Sequence, residues 1–216
     1  MTDFKIEKIA PLCADFGVTL DSEKINLLNL YGNLLLLWNK KINLTAITEP
    51  EEVLYKHFYD CILFLKHIKV PQNASLIDVG TGAGFPGTVL KIVRPDINVT
   101  LLDSLNKRLV FLNEVITELG LNGISTVHMR AEDAGKSKLY REKYDIACAR
   151  AVANLPVLME YCVPLVKKGG LFAAMKGPYA KEEAENSLNA ARLLGTEKPI
   201  IICETLTGNE QRAFVI

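Results

Sequence analysis

The stretch Leu76-Ile77-Asp78-Val79-Gly80-Thr81-Gly82-Ala83-Gly84-Phe85-Pro86-Gly87 constrains this chain more than any other, because an apolar run entering clustered glycines leaves few folds open. It predicts a strand, a tight turn and the start of a helix, with backbone N–H groups free to meet a ligand where no Cβ intervenes. The run Val99-Thr100-Leu101-Leu102 then ends on Asp103, where a carboxylate after a second strand can accept both hydroxyls of a ribose. Together these predict a nucleoside-binding crevice. The spacing speaks against a dinucleotide: that fingerprint needs its third glycine at position 85, where Phe85 stands, and the third glycine here is Gly84.

Composition bounds the rest. A chain of 216 residues, 49% apolar and 23% charged, can bury a full core as one domain with an appendage. Its 25 basic and 25 acidic residues cancel, so any nucleic-acid surface has to be a local patch. Cys13, Cys61, Cys148, Cys162 and Cys203 are scattered without a Cys-x-x-Cys pair, and His57, His67 and His128 add no metal-ligand spacing. Buried free thiols in a reducing compartment are expected, rather than zinc or disulfides. The start, Met1-Thr2-Asp3-Phe4-Lys5, has neither a basic n-region nor an apolar h-region, and no apolar stretch reaches membrane-spanning length. A cytoplasmic protein is expected.

Residues 1–72 read as a helical cap and residues 73–216 as an α/β domain, with Pro71-Gln72-Asn73 as the joint. In the cap, Phe4, Ile9, Leu12, Cys13 and Phe16 share one helical face that Gly17 ends, and a second helix begins after Asp21 and runs to Trp38. Its segment 34–38 is apolar all round, which predicts burial on more than one side. Thr48 and Glu51 form a capping-box pattern with Pro50 in the first turn, opening a third helix toward Lys66. Beyond the joint, strand-like runs at 76–79, 99–102, 125–128, 144–149, 171–175, 200–203 and 213–216 alternate with helical runs at 107–119, 155–163 and 180–194. That alternation is the pattern of βαβ units and a parallel sheet. Only a turn around Thr207-Gly208-Asn209 separates the last two strands, too short for a crossover, so the seventh strand should run antiparallel.

The order acidic-x-Gly-x-Gly-x-Gly resembles the first motif of methyltransferases that use S-adenosylmethionine (AdoMet), and a parallel sheet ending in one reversed strand resembles their Rossmann-like class I fold. A sulfonium cation makes Asp78 beside the glycines sensible. One family is similar in more detail, the bacterial 16S rRNA guanine-N7 methyltransferases of the small-subunit decoding region, also called glucose-inhibited division protein B. The resemblance is carried by Trp38-Asn39-Lys40-Lys41-Ile42-Asn43-Leu44-Thr45, Lys56-His57-Phe58-Tyr59-Asp60, the stretch from Asp78 to Gly87, Arg130-Ala131-Glu132, Ala149-Arg150-Ala151 and Lys176-Gly177. It implies AdoMet contacts at Gly80, Gly82, Gly84, Phe85, Asp103, Ala131, Glu132 and Arg150, with Asp78 beside them, and 16S rRNA or the small ribosomal subunit as partner. Proteins of this family usually continue past the last strand with a short basic, proline-containing tail, which the sequence to Ile216 does not include.

Ligands of open α/β sheets bind beyond the carboxyl ends of the strands, so the residues just after each strand are the candidates. Glu132 or the amides beside it can read an adenine edge. Arg150 offers a planar donor fork for a phosphate or a guanine edge, and Lys176 a second cation on the same rim. No Asn/Asp-Pro-Pro-aromatic turn follows the fourth strand, as it does in enzymes that methylate exocyclic amines, and Cys148 and Cys162 sit poorly for attack on a pyrimidine carbon. Guanine N7 carries an in-plane lone pair and no proton, so in-line methyl transfer to it requires no general base, only alignment. Arg150 and Lys176 are therefore expected to position the acceptor. Asn39, Lys40, Lys41, His57 and Lys176 are candidate RNA contacts, His57 more readily a packed or rim histidine. Methyl transfer to a small molecule or protein, and a non-catalytic ribosome-binding nucleoside sensor, are the competing readings.

Overall fold

The computed structural model describes residues 2–206 and 210–216. Seven strands form one sheet: β1 (Ser75–Val79), β2 (Asn98–Asp103), β3 (Ile124–His128), β4 (Tyr144–Arg150), β5 (Val166–Lys176), β6 (Ile201–Thr205) and β7 (Gln211–Val215), in the order β3-β2-β1-β4-β5-β7-β6. Strands β1 to β5 pair in parallel, while β7 runs antiparallel to both β5 and β6, as its short connection required. The expected turn at 207–209 lies outside the described residues. Strand order reverses at β1 and β4, the switch point where such sheets leave a crevice. In register, Val79 lies beside Leu102, Asp103 beside His128 and Arg150 beside Met175, so the carboxyl ends share one edge.

Ahead of the sheet come α1 (Ala10–Ala14) and α2 (Ser22–Asn39), then α3 (Pro50–Glu52), a π-helical stretch Val53–Tyr59, α4 (Asp60–Ile62) and α5 (Phe64–His67). The Asp21 side chain caps α2 by accepting from the Lys24 N–H at 2.9 Å. Leu28, Tyr31, Gly32 and Leu35 form its buried stripe. Along the all-apolar segment Leu35 is fully buried, Leu34, Leu36 and Trp38 are partly buried against the core, and Leu37 points to solvent at 51% exposure, so the segment packs on more than one side but not all round. The capping box at Thr48 and Glu51 does not form: Glu49 holds the N-cap position without a side-chain bond. Phe4 precedes the first helix, its ring fitting where a Cβ on Gly32 would come within 2.5 Å.

Between the strands lie α6 (Gly87–Val93), α7 (Asn106–Glu118), α8 (Ala131–Lys136), α9 (Leu155–Cys162), α10 (Ala180–Asn186) and α11 (Leu188–Leu194). The single helix expected over 180–194 is broken at Ser187, a buried residue whose hydroxyl donates to the Ala184 carbonyl at 2.7 Å and so competes with the helical ladder. Cap and sheet share one apolar cluster, in which Phe4, Leu28, Tyr31, Leu35 and Phe58 join Leu76, Val89, Leu101 and Phe111. A second cluster fills the other face, with Ile77, Ala147, Leu158 and Met159. Among the described residues no helix is long and apolar enough to cross a membrane.

Candidate active site

The glycine turn leaves β1 with φ of 68° at Gly80, 60° at Gly82 and 95° at Gly84, values that L side chains rarely adopt. Space excludes a side chain at two of these: a Cβ on Gly80 would lie 2.6 Å from Val152 Cγ2, and one on Gly84 would lie 2.5 Å from Thr88 Oγ1 and 2.6 Å from the Tyr31 hydroxyl. A Cβ on Gly82 would meet only the Gly80 carbonyl, at 3.9 Å. Behind the turn, Asp78 Oδ2 accepts from Thr81 Oγ1 at 2.7 Å and from the Gly87 N–H at 2.9 Å, bracing both ends of the loop. Asp78 Oδ1 is buried without a partner. Burial raises this carboxyl to about 6, against the pull of its two hydrogen bonds.

Asp103, ending β2, is also buried, and its oxygens are engaged by the protein. Oδ2 accepts from the Gly82 N–H at 2.9 Å and Arg108 Nη1 at 3.2 Å, and Oδ1 from the Leu105 N–H at 2.8 Å. Gripping a ribose therefore means displacing a contact. Arg108 is the partner best able to yield, because its side chain is one-third exposed and its Nε is unpaired. After β3, Ala131 and Glu132 open α8, Glu132 exposed in its first turn and Ala131 half-buried.

The ends of β4 and β5 depart further from expectation. Arg150 does not present a free fork: Nη1 donates to Asp60 Oδ2 at 2.9 Å and the Lys56 carbonyl at 3.0 Å, and Nη2 reaches His57 Nδ1 at 3.1 Å. Lys176 is likewise occupied, its Nζ 2.6 Å from both the Ala153 carbonyl and Glu183 Oε2, while the same Glu183 oxygen accepts from the Leu155 N–H at 2.7 Å. Lys176 and Glu183 thus clasp the turn after β4 to the turn after β5. Ala151 is held in the left-handed region at φ 56°, a strained conformation for alanine. Exposed beside it is Val152, and Tyr179 beyond β5 is 72% exposed. Cys148 and Cys162 are fully buried with thiols pushed up by desolvation, so neither is a nucleophile.

The cap supplies what the sequence concealed. Its π-helical stretch, a geometry often found at functional sites, carries Lys56 and His57, and Asp60 follows directly. His57, expected as a packed or rim histidine and a candidate RNA contact, is 7% exposed and offers RNA no surface. Its ring stacks on Phe85 at 4.5 Å and 20°. Phe85, expected to touch the donor, turns its 5%-exposed ring to the cap, between His57, the Arg150 guanidinium at 5.0 Å and Tyr31 at 5.4 Å. The Tyr31 hydroxyl donates to the Ala83 carbonyl inside the glycine turn. Asn39 also works internally, its amide accepting from the Leu44 and Thr45 N–H groups and donating to the Thr45 carbonyl. Lys40 and Lys41 stand exposed, Lys41 over the Trp38 ring.

The glycine-turn amides and the orphaned buried carboxylate oxygen of Asp78 fit a cationic nucleoside such as AdoMet. A model of the family described as rRNA small subunit methyltransferase G matches residues 24–212. The chain belongs to this family. In the rRNA small subunit methyltransferase G family it is 52% identical over 183 residues to the Ribosomal RNA small subunit methyltransferase G of Alkaliphilus metalliredigens, covering 85% of this chain and 77% of that one. Against the protein of the same name from Acetivibrio thermocellus it is 58% identical over 180 residues, covering 83% and 74%. Solved structures share the fold at low identity. A precorrin-6y C5,15-methyltransferase from Geobacter metallireducens superposes with a TM-score of 0.56 at 11% identity, over 81% of this chain and 91% of that one. A SAM-dependent methyltransferase from Aquifex aeolicus gives 0.54 at 17%, over 83% and 97%. AdoMet is the family's methyl donor.

Proposed function

We propose that this protein methylates guanine N7 in 16S rRNA, within the decoding-region loop of the small subunit, by direct in-line transfer and without a general base. Family membership supports rRNA as the acceptor. The observation that carries the finer reading is the turn beyond β4: Ala151, Val152 and Ala153 have no titratable side chain, and the one oxygen of Glu183 that reaches this turn is engaged by Lys176 Nζ and the Leu155 N–H. N7 needs no proton acceptor, since its lone pair lies in the ring plane and carries no hydrogen. When bound, AdoMet supplies an electrophilic methyl group. The protein's part is positioning and exclusion of water.

On the donor side, the amides from Gly80 to Gly84 and the carboxylates of Asp78 and Asp103 hold the nucleoside and the sulfonium charge, with Ala131 and Glu132 at the adenine. On the acceptor side, Arg150 and Lys176 act through the elements they tie down rather than by gripping the base: Arg150 binds the cap to β4, and Lys176 binds the two turns that carry Val152 and Tyr179. An exposed apolar residue and an exposed aromatic on rigid turns suit a base unstacked from its loop. Lys40 and Lys41 are the exposed cations for phosphate.

The test is transfer from labelled AdoMet to small subunits whose 16S rRNA lacks the modification, followed by mapping of N7-methylguanosine. One methyl per rRNA at a single guanine N7 is expected. Methyl found on another atom, or on a non-RNA acceptor, refutes the assignment.

A further inference from the structure

We propose that His57 is a positioning residue for the cofactor turn: gripped at both ring nitrogens, it fixes the orientation of Phe85 and thereby the backbone from Gly80 to Gly84. The proposal rests on AdoMet as donor and is independent of the acceptor.

The hydrogen bonding decides the tautomer. A guanidinium has only donors, so His57 Nδ1, 3.1 Å from Arg150 Nη2, must present its lone pair. The ring proton then sits on Nε2 and is donated to Thr45 Oγ1 at 2.9 Å. That oxygen also accepts from the Ile47 N–H at 3.0 Å, so its lone pairs are directed and the hydroxyl is not a free rotor. Thr45 is itself anchored, because the Asn39 amide holds its N–H at 3.0 Å and its carbonyl at 2.9 Å. The two bonds engage the two ring nitrogens of His57, so a flip of the ring breaks both.

The face left by this locking is the one Phe85 lies on, and Phe85 follows Gly84 directly. Its N–H also binds the Thr81 carbonyl at 3.1 Å, so the backbone that carries the ring is part of the turn. Here the order Asn39, Thr45, His57, Phe85 runs unbroken from the end of α2, beside the exposed Lys40 and Lys41, to the glycine turn.

Thr45→Val, Thr45→Ser and His57→Phe in the full chain separate positioning from packing. Calorimetry with S-adenosylhomocysteine, KM for AdoMet and the melting midpoint are read for each, with Leu28→Ala as a cap-core control. Thr45→Val removes the acceptor shared by His57 Nε2 and the Ile47 N–H at nearly constant volume and should weaken S-adenosylhomocysteine about fivefold or more. Thr45→Ser should restore affinity to within about twofold. His57→Phe keeps a ring against Phe85, strands Arg150 Nη2 and should cost more than Thr45→Val. Nitrogen spectra of the wild-type imidazole should show the Nε2–H tautomer, and a mixture in Thr45→Val. Wild-type affinity in both Thr45→Val and His57→Phe overturns the proposal, as does an equal loss in Leu28→Ala at a matched drop in melting midpoint. Absence of any heat from the wild type would instead overturn the donor assignment, and this proposal with it.

Discussion

Asp78 and His57 lie on either side of the glycine turn, both buried, and burial moves their protonation in opposite directions. The Asp78 carboxyl rises from 3.8 to about 6, so the folded state prefers the neutral acid; that contribution to stability is complete below pH 4 and lost as pH rises through 6. Desolvation first, and then the Arg150 charge, lower His57 from 6.5 to about 3. The folded state prefers the neutral ring, a contribution complete above pH 6.5 and lost as pH falls toward 3. Between pH 4 and 6 the two slopes oppose each other. Urea denaturation across that range should show Asp78→Asn gaining on the wild type by about 1.4 kcal/mol per unit as pH rises, and His57→Gln gaining by about the same as pH falls. Stability curves parallel to wild type would show that neither group titrates as its burial requires. The positions of Asp78 and Asp103, beside the glycine turn and at the end of β2, are legible in the sequence; the internal hydrogen bonds that engage them are not. Arg150 and Lys176 carry no sign in the sequence of the partners that occupy them: Asp60 lies 90 residues from Arg150, and Glu183 stands on α10 while Lys176 ends β5.

At the scale of elements, the contact between α2 and the glycine turn is the one that tolerates least. Gly84 lies where Thr88 and the Tyr31 hydroxyl leave no room and where the backbone is left-handed, so Gly84→Ala combines overlap with strain. It should cost about 2–4 kcal/mol in denaturant unfolding and abolish S-adenosylhomocysteine binding in calorimetry; Gly82→Ala, with only the Gly80 carbonyl near its Cβ, should fold and test the backbone strain alone. A fully stable Gly84→Ala that binds normally would count against the contact. The strands were legible to within a residue or two except β5, which begins at Val166 rather than 171 because its pairing with β4 shifts between Tyr144 and Ile146. The π-helical stretch was not legible, since it has no pattern of its own: the apolar spacing of a helix persists through it. The capping box failed because Thr48 and Glu51 are one residue out of step with Glu49, the residue that holds the cap position.

For the molecule as a whole, the cap is a wall of the same core that supports the sheet. Ionic ties reinforce the packing: Asp60 pairs with Arg150 and with Arg212 of β7 at 3.2 Å, Lys56 with Glu210 at 2.7 Å, and Lys66 and His67 with Glu204 of β6. Cap and sheet should therefore unfold together. Trp38, the one tryptophan, stands in the cap, so its fluorescence and far-UV dichroism of the whole chain should melt at one midpoint. Leu28→Ala, at a fully buried cap position, should lower both together at a cost of about 2–5 kcal/mol. Two separated transitions would show an independent cap. By itself, the order of residues determined the alternation of strands and helices, the reversed last strand and the glycine turn after β1, because periodicity, glycine spacing and loop length act over a few neighbouring residues. Only the tertiary structure decided which charged side chains face a ligand and which hold the protein together. Pairing depends on what burial brings within about 3 Å across long stretches of chain, and no local pattern encodes it.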